Sequence, residues 1–314
     1  MTVLWIAAAL VALYWLAVYG VYRFAIVRRK TASADVAKIH YKPLLPYKEE
    51  AEAGIRWFLD RKPEPVSIRS YDGLTLRGYW LEHPRAKGTV VLMHGYRSSW
   101  ATDFSCVFRF YYGQGYSILA CWQRAHGESE GKHICFGVKE RFDCRDWVRF
   151  LGTRIPADQP VFLDGVSMGA SAVLMAAGLP DLPDCVRGVI ADSGFTSAWD
   201  EFASLLKRLH LPLHPLMDSA NWLARRLAGF DFRECSTLDA VRETKLPLLL
   251  VHGEADTYVS PEFTRRNYAS CGSEKRLITV PGAVHGMSYL VDREGCQRVL
   301  LEFLNQHQTS EAAV

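Results

Sequence analysis

The chain has 314 residues, 49% hydrophobic and 23% charged, a composition that supplies a packed core, excludes extended disorder and suits one large domain with additions. Its 37 Lys and Arg against 34 Asp and Glu leave a formal charge of +3, with no basic stripe interleaved with aromatics, which excludes nucleic acid as an expected partner. The eight cysteines show no CxxC pair or ligand-like spacing, so they predict buried thiols in a reducing compartment and neither a metal site nor a disulfide frame.

From Val3 to Val21 no residue is charged, and about 20 apolar residues make a helix long enough to cross a bilayer. Arg23, Arg28, Arg29 and Lys30 follow this run, whereas a signal peptide carries its positive charge in front. The expectation is a transmembrane anchor with a basic flank over 1–30, its N-terminus outside and the catalytic part in the cytosol. The competing expectation is cleavage near Ala32-Ser33-Ala34 and secretion. Residues 31–65 read as a connector punctuated by Pro43, Pro46, Pro63 and Pro65. A short helix over Glu49–Leu59 would lie on the membrane surface or pack on the domain edge.

The main domain is expected over 66–310. Alternating patterns at Val66–Ser70 and Leu74–Glu82 flank Asp72-Gly73, a hairpin signal. Apolar runs at Thr89–Met93, Tyr116–Cys121, Val161–Leu163, Val186–Ala191, Leu246–Val251 and Arg276–Val280 read as strands. Helical patterns at Thr102–Tyr112, Lys139–Gly152, Ser167–Ala177, Pro261–Ser270 and Asp292–Gln306 lie between or after them. This alternation predicts an α/β fold, a mostly parallel central sheet with helices on both faces. Residues 195–245 hold no strand pattern and read as a helical lid insertion. Its leucines from Leu205 to Leu216, with Met217, either line an acyl pocket or bury the lid against the core.

Gly165-Val166-Ser167-Met168-Gly169 follows an apolar run and opens a small-residue helix. That is the strand, sharp turn, helix context in which a serine hydroxyl is lifted clear of a sheet. A serine needs a base, and the base needs a carboxylate to fix its tautomer. His285 after the last strand and Asp256 after the strand before it are the candidates, and the order Ser, Asp, His is that of α/β-hydrolases. Asp192, one strand earlier, is the competing acid. The backbone N–H groups of Tyr96, in His94-Gly95-Tyr96, and of Met168 are the candidate oxyanion-hole donors. Arg124, His126, His94 and His252 read as structural.

From Ile68 onward the chain resembles the α/β-hydrolase family, in particular small serine hydrolases of the serine-aminopeptidase-like group. Besides the triad, Arg124-Ala125-His126-Gly127-Glu128-Ser129 is similar to that family's Asp-x-Arg-Gly-His-Gly-x-Ser loop, and His252-Gly253-Glu254-Ala255-Asp256 to the sequence around its acid. Trp122 and Ala125 stand where relatives carry Asp and Gly, which removes a charge partner from Arg124. The resulting expectation is a serine hydrolase cleaving small-molecule acyl esters or thioesters through an acyl-enzyme, without cofactor or metal. One alternative is an aminopeptidase holding its substrate amine with Asp200, Glu201 or Asp218. Another is a catalytically idle membrane scaffold.

Overall fold

The computed structural model describes residues 1–29 and 41–308. Lys30, the connector residues 31–40 and the cleavage signal at Ala32-Ser33-Ala34 lie outside them. Helix α1 spans Thr2–Ala25 and is followed, across a 3-10 turn at Lys42–Tyr47, by α2 (Lys48–Asp60). The strands β1 (Glu64–Arg69) and β2 (Thr75–Leu81) form the hairpin, and β3 (Gly88–Met93) begins the parallel part. Next come α3 (Trp100–Phe104), α4 (Phe108–Gly113), β4 (Tyr116–Cys121), α5 (Glu140–Leu151), β5 (Val161–Val166), α6 (Met168–Ala177) and β6 (Val186–Asp192). Helices α7 (Ala198–Arg208), α8 (Leu216–Leu223) and α9 (Thr237–Glu243) fill the interval before β7 (Leu248–Gly253), with a π-helical turn at Ala224–Ala228. The chain then runs through α10 (Pro261–Ser270), β8 (Lys275–Val280), α11 (Ser288–Val291) and α12 (Arg293–Gln306).

The eight strands make one sheet in the order β1-β2-β4-β3-β5-β6-β7-β8, antiparallel at β1/β2 and β2/β4 and parallel from β4 onward. Period-two alternation sends neighbouring side chains to opposite faces. Val91, Leu163 and Ala191 pack under α5 and α6 with Trp147 and Val173, while Val90, Leu92 and Ile190 meet Phe58, Phe108 and Leu300 of α2, α4 and α12 on the other face. Both faces are covered, as a parallel sheet requires.

The helix expected at Thr102–Tyr112 is broken in two between Phe104 and Phe108. Trp100, Phe104, Val107 and Phe108 are all buried; the break lets both short helices present apolar side chains to the sheet. Ser99 caps the first of them by accepting from Thr102 N at 3.0 Å. Helix α2 packs on α3 and α4, with Ala51, Ile55 and Phe58 turned inward, which is the domain-edge alternative of the two weighed for that segment. All eight cysteines are free, five buried and three partly so.

A third apolar cluster joins the end of α1 to the 195–245 segment. Val18, Tyr22 and Ala25 are buried against Phe136, Phe202, Leu206, Leu216 and Phe232. Leu206, Leu216 and Leu223, with Met217, therefore serve packing, whereas Leu209 stays exposed. Arg28 extends the attachment: its guanidinium donates to the carbonyl of Ser129 at 2.6 Å, and Val27 forms a β-bridge with His133.

Candidate active site

Strand β5 delivers the chain to Ser167, which adopts φ 58° and ψ −117° between the strand and the first residue of α6. That backbone is costly for a residue with a side chain and persists because the turn has no room to relax. A Cβ on Gly169 would stand 1.8 Å from the carbonyl oxygen of Met93, and one on Gly165 would stand 2.4 Å from Gly169. The two glycines are thus steric requirements of the elbow, and Ser167 N is fixed by donation to Asp192 O at 2.8 Å.

His285 sits in the loop after β8 and places Nε2 2.9 Å from Ser167 Oγ. Its Nδ1 lies 2.6 Å from Asp256 Oδ2. Asp256 in turn accepts from Tyr258 N and Val259 N at 2.8 and 3.0 Å through Oδ1. Asp192 does not reach the imidazole: its Oδ1 accepts from the hydroxyls of Ser193 at 2.8 Å and Ser288 at 3.2 Å. Of the two carboxylates weighed in the sequence, it is Asp256 that contacts His285.

Burial alone would lower the basicity of His285 and raise that of Asp256, and their mutual contact reverses both. The imidazole pKa is held above its usual 6.5 by the Asp256 carboxylate, and the Asp256 pKa is held well below the usual range by hydrogen bonds from His252 and His285. His252 is the member that sequence reasoning passed over. It is fully buried, with Nδ1 2.6 Å from Thr264 Oγ1 and Nε2 3.2 Å from Asp256 Oδ2 and 3.0 Å from Val259 O. Two acceptors around Nε2 fix the proton there, so Thr264 donates to Nδ1 and His252 clamps the acid. Its place in the His-Gly-x-x-Asp segment was the signal available.

Tyr96 follows β3 on the site side and lines the cavity described below, and Met168 opens α6 directly after Ser167. Asp103 Oδ2 accepts from Gly95 N at 2.7 Å, holding the peptide run that leads to Tyr96. The Tyr96 hydroxyl donates to Ala25 O at 2.7 Å and its ring stacks on Phe136, so the end of α1 braces this loop. Tyr41 reaches the site from the other side by donating its hydroxyl to the carbonyl of His285.

The charge partner that Trp122 removes from Arg124 is replaced from elsewhere. Arg124 donates to Asp143 through Nε and Nη2, both at 2.6 Å, and to Asp72 through Nη1 at 2.8 Å. Trp122 fills the vacated place by packing edge-on against His94 and Trp100. His126 is buried beside them, its Nε2 accepting from Arg97 N at 2.9 Å, and burial pulls its pKa down to about 4. Both side chains are structural.

Ser167 and His285 open onto a cavity of about 500 Å³. It runs along one face of the sheet beneath α3, α4, α11 and α12, with Val166, Ile190, Val251 and Ile278 as its floor. No residue of 195–245 is among those lining it. Asp103 and Asp164 also face it, the latter accepting from Tyr111 at 2.7 Å. Burial raises their pKa values to about 6 and about 7. No cluster of His, Cys, Asp or Glu suited to a metal occurs among the described residues.

An eight-stranded sheet with this strand order, an elbow serine after β5 and a histidine after β8 define the α/β-hydrolase fold, which this chain shares with the proteins it is similar to. Residues 84–229 match the family model described as serine aminopeptidase, S33. The protein YqkD of Bacillus subtilis is 27% identical over 244 residues, 77% of this chain and 79% of its own. Protein bem46 of Schizosaccharomyces pombe is 23% identical, covering 80% of this chain and 79% of its own. Among solved structures, the Pyrococcus furiosus esterase Pf2001 superposes with a TM-score of 0.62 at 28% identity, covering 80% of this chain and 94% of the esterase.

Proposed function

We propose that the chain hydrolyses carboxylic ester or thioester bonds through an acyl-enzyme on Ser167, with Asp256 orienting His285. The observation that carries this reading is the continuous relay from Ser167 Oγ to His285 Nε2 and from Nδ1 to Asp256, opening onto a largely apolar cavity. With its Nδ1–H donating a hydrogen bond to the Asp256 carboxylate, which stays ionised, the imidazole has Nε2 free to take the serine proton as the acyl bond forms. It returns that proton to the departing alkoxide or thiolate, and repeats the transfer with water to release the acid. The N–H groups of Tyr96 and Met168 serve as the oxyanion hole, where one donor is worth about 2.7–4 kcal/mol in a comparable site. This chemistry calls for no cofactor.

The apolar wall favours an acyl chain, and the likeness to an esterase at 28% identity supports an ester. The three acids considered for an aminopeptidase are engaged elsewhere. Glu201 pairs with Arg208, Asp218 with His214 and Arg233, and Asp200 accepts from Thr196. None of them lines the cavity. Helix α1, 24 residues long with a mean hydropathy of 2.0, serves as the membrane anchor, with the catalytic domain in the cytosol; the 195–245 segment, expected as a lid, packs on that anchor and lines no part of the cavity. A fluorophosphonate probe is expected to label the wild type and not Ser167→Ala, and an aryl acetate to be cleaved faster than an amino-acid anilide. Equal labelling of the two proteins, or of neither, would return the idle-scaffold reading, and faster anilide cleavage would return the peptidase.

A further inference from the structure

We infer that the outer face of α8 and the π-helical turn after it is a bilayer-binding surface, seated in the lipid interface with Trp222 and Leu227 turned toward the acyl chains. The inference rests on α1 being a membrane span and goes beyond it, because it assigns a second element of the hydrolase domain to the lipid.

Helix α8 lies beside α1 well above its charged end. The Tyr14 and Ser219 hydroxyls share a hydrogen bond of 2.6 Å, and the Trp15 ring meets Trp222 edge-on with centroids 5.4 Å apart. Val18 is wholly buried in the cluster that holds Leu216, Met217 and Leu223. Arg23 is the first charge, and Tyr14 lies nine residues before it, about 13 Å further along a helix rising 1.5 Å per residue. The part of α1 free of α8, Thr2 to Leu13, is about 18 Å long, against a hydrocarbon thickness of about 30 Å. A spanning α1 therefore draws its α8-bearing stretch about 12 Å into the bilayer. Tilting α1 shortens its free part along the membrane normal and makes this depth larger.

The surface that α8 turns outward matches that position. Trp222 is 51% exposed and Leu227 50%, in a domain whose other large side chains are mostly inside. Tryptophan favours the lipid–water boundary, and interfacial helices sink about 5–10 Å into it. Arg225 and Arg226, between the two apolar residues, are long enough to bring their charges up to the headgroups.

The test places photoreactive p-benzoylphenylalanine at Trp222, Leu227 or Leu10 of the full chain in nanodiscs of phosphatidylcholine and phosphatidylglycerol. Lipid adducts are read by mass spectrometry, and hydrolysis of a water-soluble aryl ester reports that each protein is folded. Adducts at position 10 and at 222 or 227 are expected, the two lid positions standing in for each other should one substitution unfold the chain. An adduct at 10 alone overturns the surface and leaves the anchor intact. No adduct at any position overturns the anchor and the surface with it, while adducts at 222 or 227 without one at 10 keep the surface and refute the span.

Discussion

Replacing Asp256 by Asn probes the relay most sharply, because the surroundings of its carboxylate dictate which way the new amide must face. Oδ1 accepts from two backbone N–H groups, of Tyr258 and Val259, so the amide oxygen has to take that position. The NH₂ then replaces Oδ2, facing His285 Nδ1 at 2.6 Å and His252 Nε2 at 3.2 Å. An amide that donates to Nδ1 drives the His285 proton to Nε2, where it points at Ser167 and can no longer accept from the hydroxyl. In the chymotrypsin-type triad the same substitution costs about 10⁴ in kcat. A loss of that size, about 5 kcal/mol of barrier, is expected here. Steady-state hydrolysis of an aryl ester reads it, with Asp192→Asn as the comparison and thermal unfolding as the check on fold. A loss under tenfold in a folded Asp256→Asn protein, or an equal loss in Asp192→Asn, would refute the assignment.

The acid limb of kcat/KM should fall above pH 6.5, because the base works only when neutral and Asp256 raises the His285 pKa; a limb at or below 6.5 would contradict the pairing. Gly169→Ala should unfold or inactivate the protein, since even a shift that relieves contact with the Met93 carbonyl costs about 1–3 kcal/mol of overpacking and moves the elbow; wild-type activity and melting temperature would rule this out. Asp164→Asn should become more stabilising as pH rises. The folded-state pKa of about 7 lies above the ordinary value, so wild-type stability falls as pH rises from about 4 to 7, where the unfolded chain ionises freely and the buried carboxyl does not. An Asn, still able to accept from Tyr111, removes that loss; a melting-temperature difference independent of pH would refute the sign. Finally, the mass of the mature protein should include α1, and an N-terminus near Asp35 would end the anchor reading.

What could be read in the sequence was whatever is encoded locally. Ser167 announces itself through glycines two residues either side, which the elbow needs for space, and the strands through short apolar runs of the right length. Asp256 and His285 were found by their place after strands, but choosing Asp256 over Asp192 depended on which carboxylate meets Nδ1, a fact of three dimensions. The partners of Arg124 were hidden because Asp72 and Asp143 lie 52 and 19 residues away. The cavity was equally hidden, built as it is from single residues of many elements. Nothing in the insertion showed that Leu206, Leu216 and Leu223 pack with α1, because α1 is apolar all round and carries no stripe to show which of its sides is covered.

The attachment of α1 has a practical side. The last turn of that helix gives its Ala25 carbonyl to the Tyr96 hydroxyl, and Arg28 holds the carbonyl of Ser129. Anyone trimming this enzyme to obtain a freely soluble form would cut away the brace of the loop that carries Tyr96. The same cut would leave bare the aromatic wall of Phe136, Phe202 and Phe232, so α1 and the domain it packs on are one structural piece.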